Sequence, residues 1–236
     1  MKLHATIEKK GLRWYYYTRD PDKLYPSVST VIGWYDKLFG RWKNYPVGNA
    51  ANCGTGIHFQ IQKYILDEFG IGEPDIEFPI IKIYGMLEEE RRYKLNRSMQ
   101  MWFEFLRENK SYEPLNQELA LFYKKPRFAG RIDQYIKLDG KYTLLDIKTG
   151  GYWQSYDWQI AGYVILLSQL VPVDRYICLY LDSNIERNPS NKYRIHEYSK
   201  EEMIDNSIQF MKLLDEYYNH EDNIIDYVFG NGDANE

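Results

Sequence analysis

Apolar residues recur along this chain with two different periods, and the change of period marks its elements. In residues 50–69 Ile57, Ile61, Ile65 and Phe69 recur every four positions, the stripe of an amphipathic helix. Residues 83–108 read as a second long helix, whose charged block at 88–92 is a solvated face. From Pro114 the character changes. Residues 115–123, 130–138 and 141–147 are short, β-rich and bounded by turn residues, so they predict three strands. Residues 153–170 return to a helix closed by Pro172, followed by strands at 175–181 and 193–198. Ser199 and Glu202 form the Ser-x-x-Glu pattern of a capping box, which starts a last helix reaching about Tyr218.

At the other end, residues 3–8 and 12–18 flank Lys10-Gly11 as a β-hairpin. Prolines 21 and 26 then break the chain, and Ser27 or Ser29 caps a short helix through Val31, Ile32 and Tyr35. The order hairpin, helices, three strands, helix, strands, helix predicts an α/β fold of the α+β type, a central mixed sheet flanked by helices. No internal repeat or linker divides it. The expectation is a single domain over 1–236, with an N-terminal hairpin and aromatic, basic segment (1–48), a core (49–198), a C-terminal helix (199–229) and a disordered tail (230–236).

Charge sharpens this outline. Thirty basic residues against 34 acidic give a net charge of −4, which excludes binding nucleic acid by bulk charge alone. The total hides a gradient: residues 1–70 carry 10 Lys/Arg against 6 Asp/Glu, and residues 199–236 carry 2 against 10. An anionic partner therefore meets the N-terminal two-thirds. Two cysteines, Cys53 and Cys178, are too few for a disulfide scaffold, a four-cysteine zinc site or a four-cysteine iron–sulfur cluster. The start MKLHATIEKK has no apolar core, and the run from Tyr163 to Leu167 is too short to cross a bilayer. These features predict a soluble, cytoplasmic protein without a membrane partner, encoded by a cell, a virus or a phage.

The candidate chemistry sits on one hairpin. Asp139-Gly140 between two β-rich runs signals a two-residue type I′ turn. If residues whose numbers sum to 279 face each other, Asp133 stands opposite Asp146 and Arg131 opposite Lys148, all four on one face. Ile132, Ile136 and Leu138 then form the core face with Leu145 and Ile147. Two directly opposed carboxylates lie about 5 Å apart and repel. A shared proton, a basic neighbour or a divalent cation offsets that cost, and hard oxygen ligands suit Mg²⁺ or Mn²⁺. An ammonium at Lys148 can hold or deprotonate a water, or stabilise charge on a phosphate. The rival reading is a surface ion-pair network of the same four residues.

The neighbouring motifs weigh against that rival. Gly130-Arg-Ile-Asp133, Asp146-Ile-Lys148-Thr-Gly150 and Gln159-Ile-Ala-Gly-Tyr163, preceded by Gly54-Thr-Gly-Ile-His58 and Pro26-Ser-Val-Ser-Thr30, follow in order from residue 26 to residue 163. This set resembles the RecB-type exonuclease branch of the PD-(D/E)XK nuclease superfamily, including phage members and the mitochondrial genome maintenance exonuclease. The resemblance implies a restriction-endonuclease-like core. It also implies that His58, Asp133, Asp146 and the carbonyl of Ile147 ligate the metal, that Lys148 is the catalytic lysine, and that Gln159 and Tyr163 steer substrate. Arg131 is a further candidate for substrate contact. Glu118, on the strand before the hairpin, either binds a second metal or a positioned water, or is a structural carboxylate paired with Arg131 or Lys148. The iron–sulfur cysteines of some relatives are missing, so no cluster is expected.

The expected function is a Mg²⁺- or Mn²⁺-dependent deoxyribonuclease, favouring the ends of single-stranded DNA in replication, recombination or repair, with a protein of those processes as a possible partner. A flap or RNA endonuclease is the alternative within enzymes. A DNA-binding module of nuclease fold without turnover is the alternative outside them. The segment containing Trp34, Tyr35, Arg41, Trp42 and Lys43 interleaves rings and cations, the make-up of a single-strand platform. The same residues also suit a helix packing its aromatics on the sheet.

Overall fold

The computed structural model describes residues 6–9, 12–17, 20–38, 49–72 and 88–224. A small antiparallel sheet opens the chain. Strands β1 (Thr6–Lys9), β2 (Leu12–Tyr17) and β3 (Asp20–Pro26) lie in that order. β3 was expected to be a break, because it carries Pro21 and Pro26. It pairs on one side only, and an edge strand tolerates residues that lack a donor. Helix α1 (Val28–Leu38) follows, and the Ser27 hydroxyl accepts the Thr30 amide at 2.9 Å as its N-cap.

Two long helices come next. In α2 (Asn49–Phe69) Ile57, Ile61 and Ile65 are fully buried, as the four-residue period predicts, whereas Phe69, the last of the stripe, is 43% exposed at the helix end. In α3 (Glu88–Glu108) the charged start is solvent-facing at Glu89, Glu90 and Arg92, while Met101, Trp102 and Phe105 are buried. The main sheet has five strands in sequence order: β4 (Glu113–Lys124), β5 (Arg127–Leu138), β6 (Lys141–Lys148), β7 (Arg175–Tyr180) and β8 (Arg194–Tyr198). Helix α4 (Ser155–Leu167) crosses over between β6 and β7, which are parallel; all other neighbours are antiparallel. Helix α5 (Lys200–Asn219) begins at the expected capping box, with both reciprocal bonds of Ser199 and Glu202 formed.

Alternation along the strands divides the interior in two. Leu144, Cys178 and Tyr180 pack on the side of α1, α4 and α5, and Leu145, Ile147, Ile177 and Leu179 on the side of α2 and α3. The mixed α/β architecture expected from the sequence is therefore the architecture observed.

The β5–β6 hairpin turns as predicted, with positive φ at both Asp139 (50°) and Gly140 (77°). Its register also obeys the predicted sum from Leu138↔Lys141 to Gln134↔Leu145. Beyond that pair the prediction fails, because β5 and β6 part while β6 stays paired with β7, its partner from Thr143 to Lys148. The β4–β5 ladder is interrupted at the same level. Gln117↔Gln134 and Leu119↔Ile132 are paired, but Glu118 and Asp133 between them are not, and Glu118 has φ of 49°. Alternation breaks there, so Ile132 packs on the α4 side whereas Ile136 and Leu138 pack on the α2 side. Ile132 thus does not belong to the face predicted for it.

Candidate active site

The fork between β5 and β6 is where the predicted site residues gather. At its mouth the Asp133 carboxylate accepts the amide N–H of Ile147 at 2.7 Å, so a side chain takes over where the ladder ends. The other Asp133 oxygen lies 3.5 Å from Nδ1 of His58 on α2. Glu118, in its left-handed conformation on β4, completes a group: one ligand atom each from His58, Glu118 and Asp133 lie within 4.8 Å of one another. A non-glycine residue at positive φ costs roughly 1–2 kcal/mol and clusters at functional sites.

Glu118 is well held. It takes Arg131 Nε on one oxygen at 2.7 Å and Gln62 Nε2 on the other at 2.6 Å. Both readings of Glu118 therefore meet in one residue: it pairs with Arg131 and stands among the candidate ligands. Gln62 was missed from the sequence. It lies four residues after His58, hence on the same face of α2, and that spacing was its available signal.

Asp146 and Lys148 face the other way, toward α4. The expectation that Arg131, Asp133, Asp146 and Lys148 share one face is corrected by the fork. Arg131 and Asp133 turn to Glu118 and His58, while Asp146 and Lys148 turn to the α4 side. Lys148 is also not outside the core, being only 8% exposed. Its ammonium lies 2.5 Å from Asp146, donates to Gln159 Oε1 at 2.7 Å, and sits 4.5 Å over the Tyr156 ring. Gln159 in turn donates to the Tyr163 hydroxyl at 2.9 Å. Gln159 and Tyr163 thus form a relay that positions the lysine, and Tyr163 is buried in the α4-side core.

Close packing makes this relay possible. A Cβ at Gly130 would lie 2.8 Å from Leu166 and 2.9 Å from Tyr163, so only glycine lets β5 approach α4 this closely. A Cβ at Gly54 would meet the Thr149 hydroxyl at 3.0 Å, which brings the His58 helix against the end of β6.

Burial and crowding set the electrostatics. Burial, then the neighbouring Asp133, pushes Glu118 up to about 7, against the pull of Arg131 and His58. Burial pushes Asp146 up to about 6 although Lys148 pulls it down; Asp133 adds to the rise. Burial alone would depress Lys148, but Asp146 beside it more than reverses this and holds the ammonium charged. Cys178 on β7 is the ladder partner of Asp146. Its thiol is directed at Asp146 from 3.7 Å, and burial together with that carboxylate raises its pKa.

Two carboxylates and an imidazole converging at a half-buried point are a hard, mixed oxygen and nitrogen donor set. It fits a divalent cation, whose charge would relieve the raised Glu118 carboxyl. Asp146 is spent on Lys148, and Ile147 meets the cluster through its peptide, tied to Asp133. Arg41, Trp42 and Lys43 lie outside the described residues. Trp34 and Tyr35 pack against the α4-side core, Tyr35 edge-on to Trp158 at 5.8 Å.

Comparison with curated proteins gives no match. Among solved structures, a protein from Eubacterium rectale described as a "Putative exonuclease" is 15% identical over 85% of each chain, with a TM-score of 0.47. Another, SSO0001, is 14% identical over 78% of this chain and 85% of its own, with a TM-score of 0.29. A family model matches residues 66–231, well over half of the chain, and spans Glu118, Asp133, Asp146 and Lys148. With that match, and with the forked sheet and its acidic cluster in place, the chain belongs to the PD-(D/E)XK nuclease superfamily.

Proposed function

We propose that the protein is a divalent-metal-dependent deoxyribonuclease that digests single-stranded DNA from its ends, in replication, recombination or repair. The observation that carries this reading is the pairing of two half-sites across the fork: a His58, Glu118, Asp133 cluster on one side and a buried, charged Lys148 on the other. A Mg²⁺ or Mn²⁺ ion in that cluster would supply polarisation of the scissile phosphate and a bound water of lowered pKa. His58, Glu118 and Asp133 would hold it, with Asp146 and the Ile147 carbonyl as further ligands if Asp146 exchanges its partner.

The chain's own residues divide the remaining work. Lys148 has three N–H donors, of which Asp146 and Gln159 take two. The third is left for the attacking water or a phosphate oxygen. Because Asp146 keeps it charged, Lys148 orients that water and stabilises developing negative charge; it does not serve as the base. Glu118, fixed by Arg131 and Gln62, would act as a ligand, since the cation's charge would draw its raised carboxyl back down. Arg131, 41% exposed beside Glu118, is available to a phosphate. The single-strand and end preference is supported by the resemblance of the ordered motifs to the RecB-type branch.

Digestion of end-labelled linear and of circular single strands, with Mg²⁺ or Mn²⁺ and with EDTA, tests the reading. Metal-dependent release from linear strands is expected. Rapid cutting of circles would favour an endonuclease, and metal-independent binding without cleavage would favour a non-catalytic module.

A further inference from the structure

The parallel strands β6 and β7 end together, at Lys148 and Tyr180, and Leu181 N–H donates to the Lys148 carbonyl at 2.7 Å. Ligands of open α/β sheets lie outside the carboxyl ends of parallel strands. Here those ends open into segment 149–154, which follows Lys148 directly, and segment 181–192, which follows Tyr180. In the first, Tyr152 and Trp153 are consecutive aromatics exposed to 53% and 54%. They are not a slack loop. The Tyr152 hydroxyl donates to Asp157 at 2.5 Å, and the other Asp157 oxygen accepts from Tyr198 at 2.7 Å, which anchors the ring to the start of α4.

Opposite stands Arg187. Its guanidinium makes two bonds, 2.8 and 2.9 Å, to Asp182, which is only 1% exposed, while its own side chain remains 54% exposed. It packs on the backbone of Gly151, where a Cβ would be 3.5 Å from Nε. A cation held by a buried carboxylate thus lies beside Gly151, next to the anchored Tyr152 ring and the exposed Trp153 ring, four and five residues beyond Lys148.

We propose that Tyr152 and Trp153 are a stacking subsite for an unpaired base next to the scissile phosphate, with Arg187 taking a flanking phosphate. Rings that stack bases, together with cations that track the backbone, are what single-strand sites are built from. The bases of a duplex are already stacked on each other and gain little from such a platform. The proposal rests on the single-strand reading above and gives it a place on the molecule. None of these residues is needed to hold the cation or Lys148.

The test is binding of fluorescein-labelled oligodeoxythymidine in Ca²⁺ to the wild type, to Trp153→Ala and to Trp153→Phe, repeated with strands carrying one abasic residue at successive positions and with a duplex. Trp153→Ala should weaken single-strand binding roughly 5- to 100-fold, and Trp153→Phe should recover most of it. At one position the abasic strand should weaken the wild type comparably and Trp153→Ala no further, the non-additivity of a shared contact. Equal affinities of wild type and Trp153→Ala, or losses that multiply at every position, would overturn the subsite. Tyr152→Phe keeps the ring but loses the bond to Asp157, and should fall between wild type and Trp153→Ala. Wild type binding duplex as tightly as single strands would instead count against the single-strand reading itself.

Discussion

In the proposed mechanism the chemistry turns on Lys148, and its surroundings say what its loss should do. Lys148→Met keeps the apolar stem and removes the charge that Asp146 and Gln159 hold. Cleavage should fall by about 10²–10⁴-fold. Asp146, left buried without its cation, should take up a proton, at a cost in stability on the order of 3 kcal/mol. A lysine outside the core would cost little stability on substitution; the burial of Lys148 raises that cost. Gln159→Ala leaves the charge and removes only the orientation. It should lower kcat by up to about 10²-fold with KM little changed. A rise in KM alone would make Gln159 a substrate contact instead. Asp133→Asn should raise metal-free stability at neutral pH, since it removes the charge that pushes Glu118 up while keeping an acceptor for Ile147 N–H. That variant should gain nothing from Mn²⁺ in a melting experiment.

At the scale of elements, the two cores meet the site through glycine. Gly130 lets β5 lie close on α4, and Gly130→Ala would push on Leu166 and Tyr163. Overpacking of this kind costs about 1–3 kcal/mol. The displaced Tyr163 should also move Gln159 and so reduce kcat, which separates this substitution from an ordinary core defect. Melting temperature and kcat measured together decide it: loss of stability with full activity would show that the relay does not depend on this contact.

For the molecule as a whole, acid and metal should act on the same strain. Glu118 and Asp146 are raised to about 7 and about 6, so the folded chain binds their protons more tightly than the unfolded chain does. Their contribution to stability is complete below the ordinary carboxylate range and is lost as pH rises through 6 to 7. Metal-free protein should therefore be more stable at pH 5 than at pH 7.5. The lowered carboxylates Glu197 and Glu202 lose their contributions only below that window. At pH 7.5 Mn²⁺ at a hundred times its Kd should restore about 2.7 kcal/mol. Urea unfolding in EDTA and in Mn²⁺ at the two pH values measures both effects, and stability that is flat or rising from pH 5 to 7.5 would refute the raised carboxylates. Among the described residues no helix is long and apolar enough to cross a membrane.

Much of this was legible in local pattern. The period-four stripe of α2, the Asp139-Gly140 turn, the capping box of α5 and the mixed sheet follow from interactions between residues close in sequence, which patterning and turn chemistry report directly. The motif residues His58, Asp133, Asp146, Lys148, Gln159 and Tyr163 were likewise visible one by one. Their arrangement was not. A register counted outward from a turn assumes that two strands stay paired, and the β5–β6 ladder ends at Gln134↔Leu145 while β6 keeps β7 beside it from Thr143 to Lys148. That parting, at the level where the β4–β5 ladder is interrupted, opens the fork and leaves Asp133 facing His58. The break in β5 also moves Ile132 off its predicted face, whereas alternation along β6 holds and Asp146 and Lys148 share a face as expected. The left-handed Glu118, its contact with Gln62 and the closeness of Cys178 to Asp146 are likewise products of packing between distant segments, and only the tertiary structure decides them.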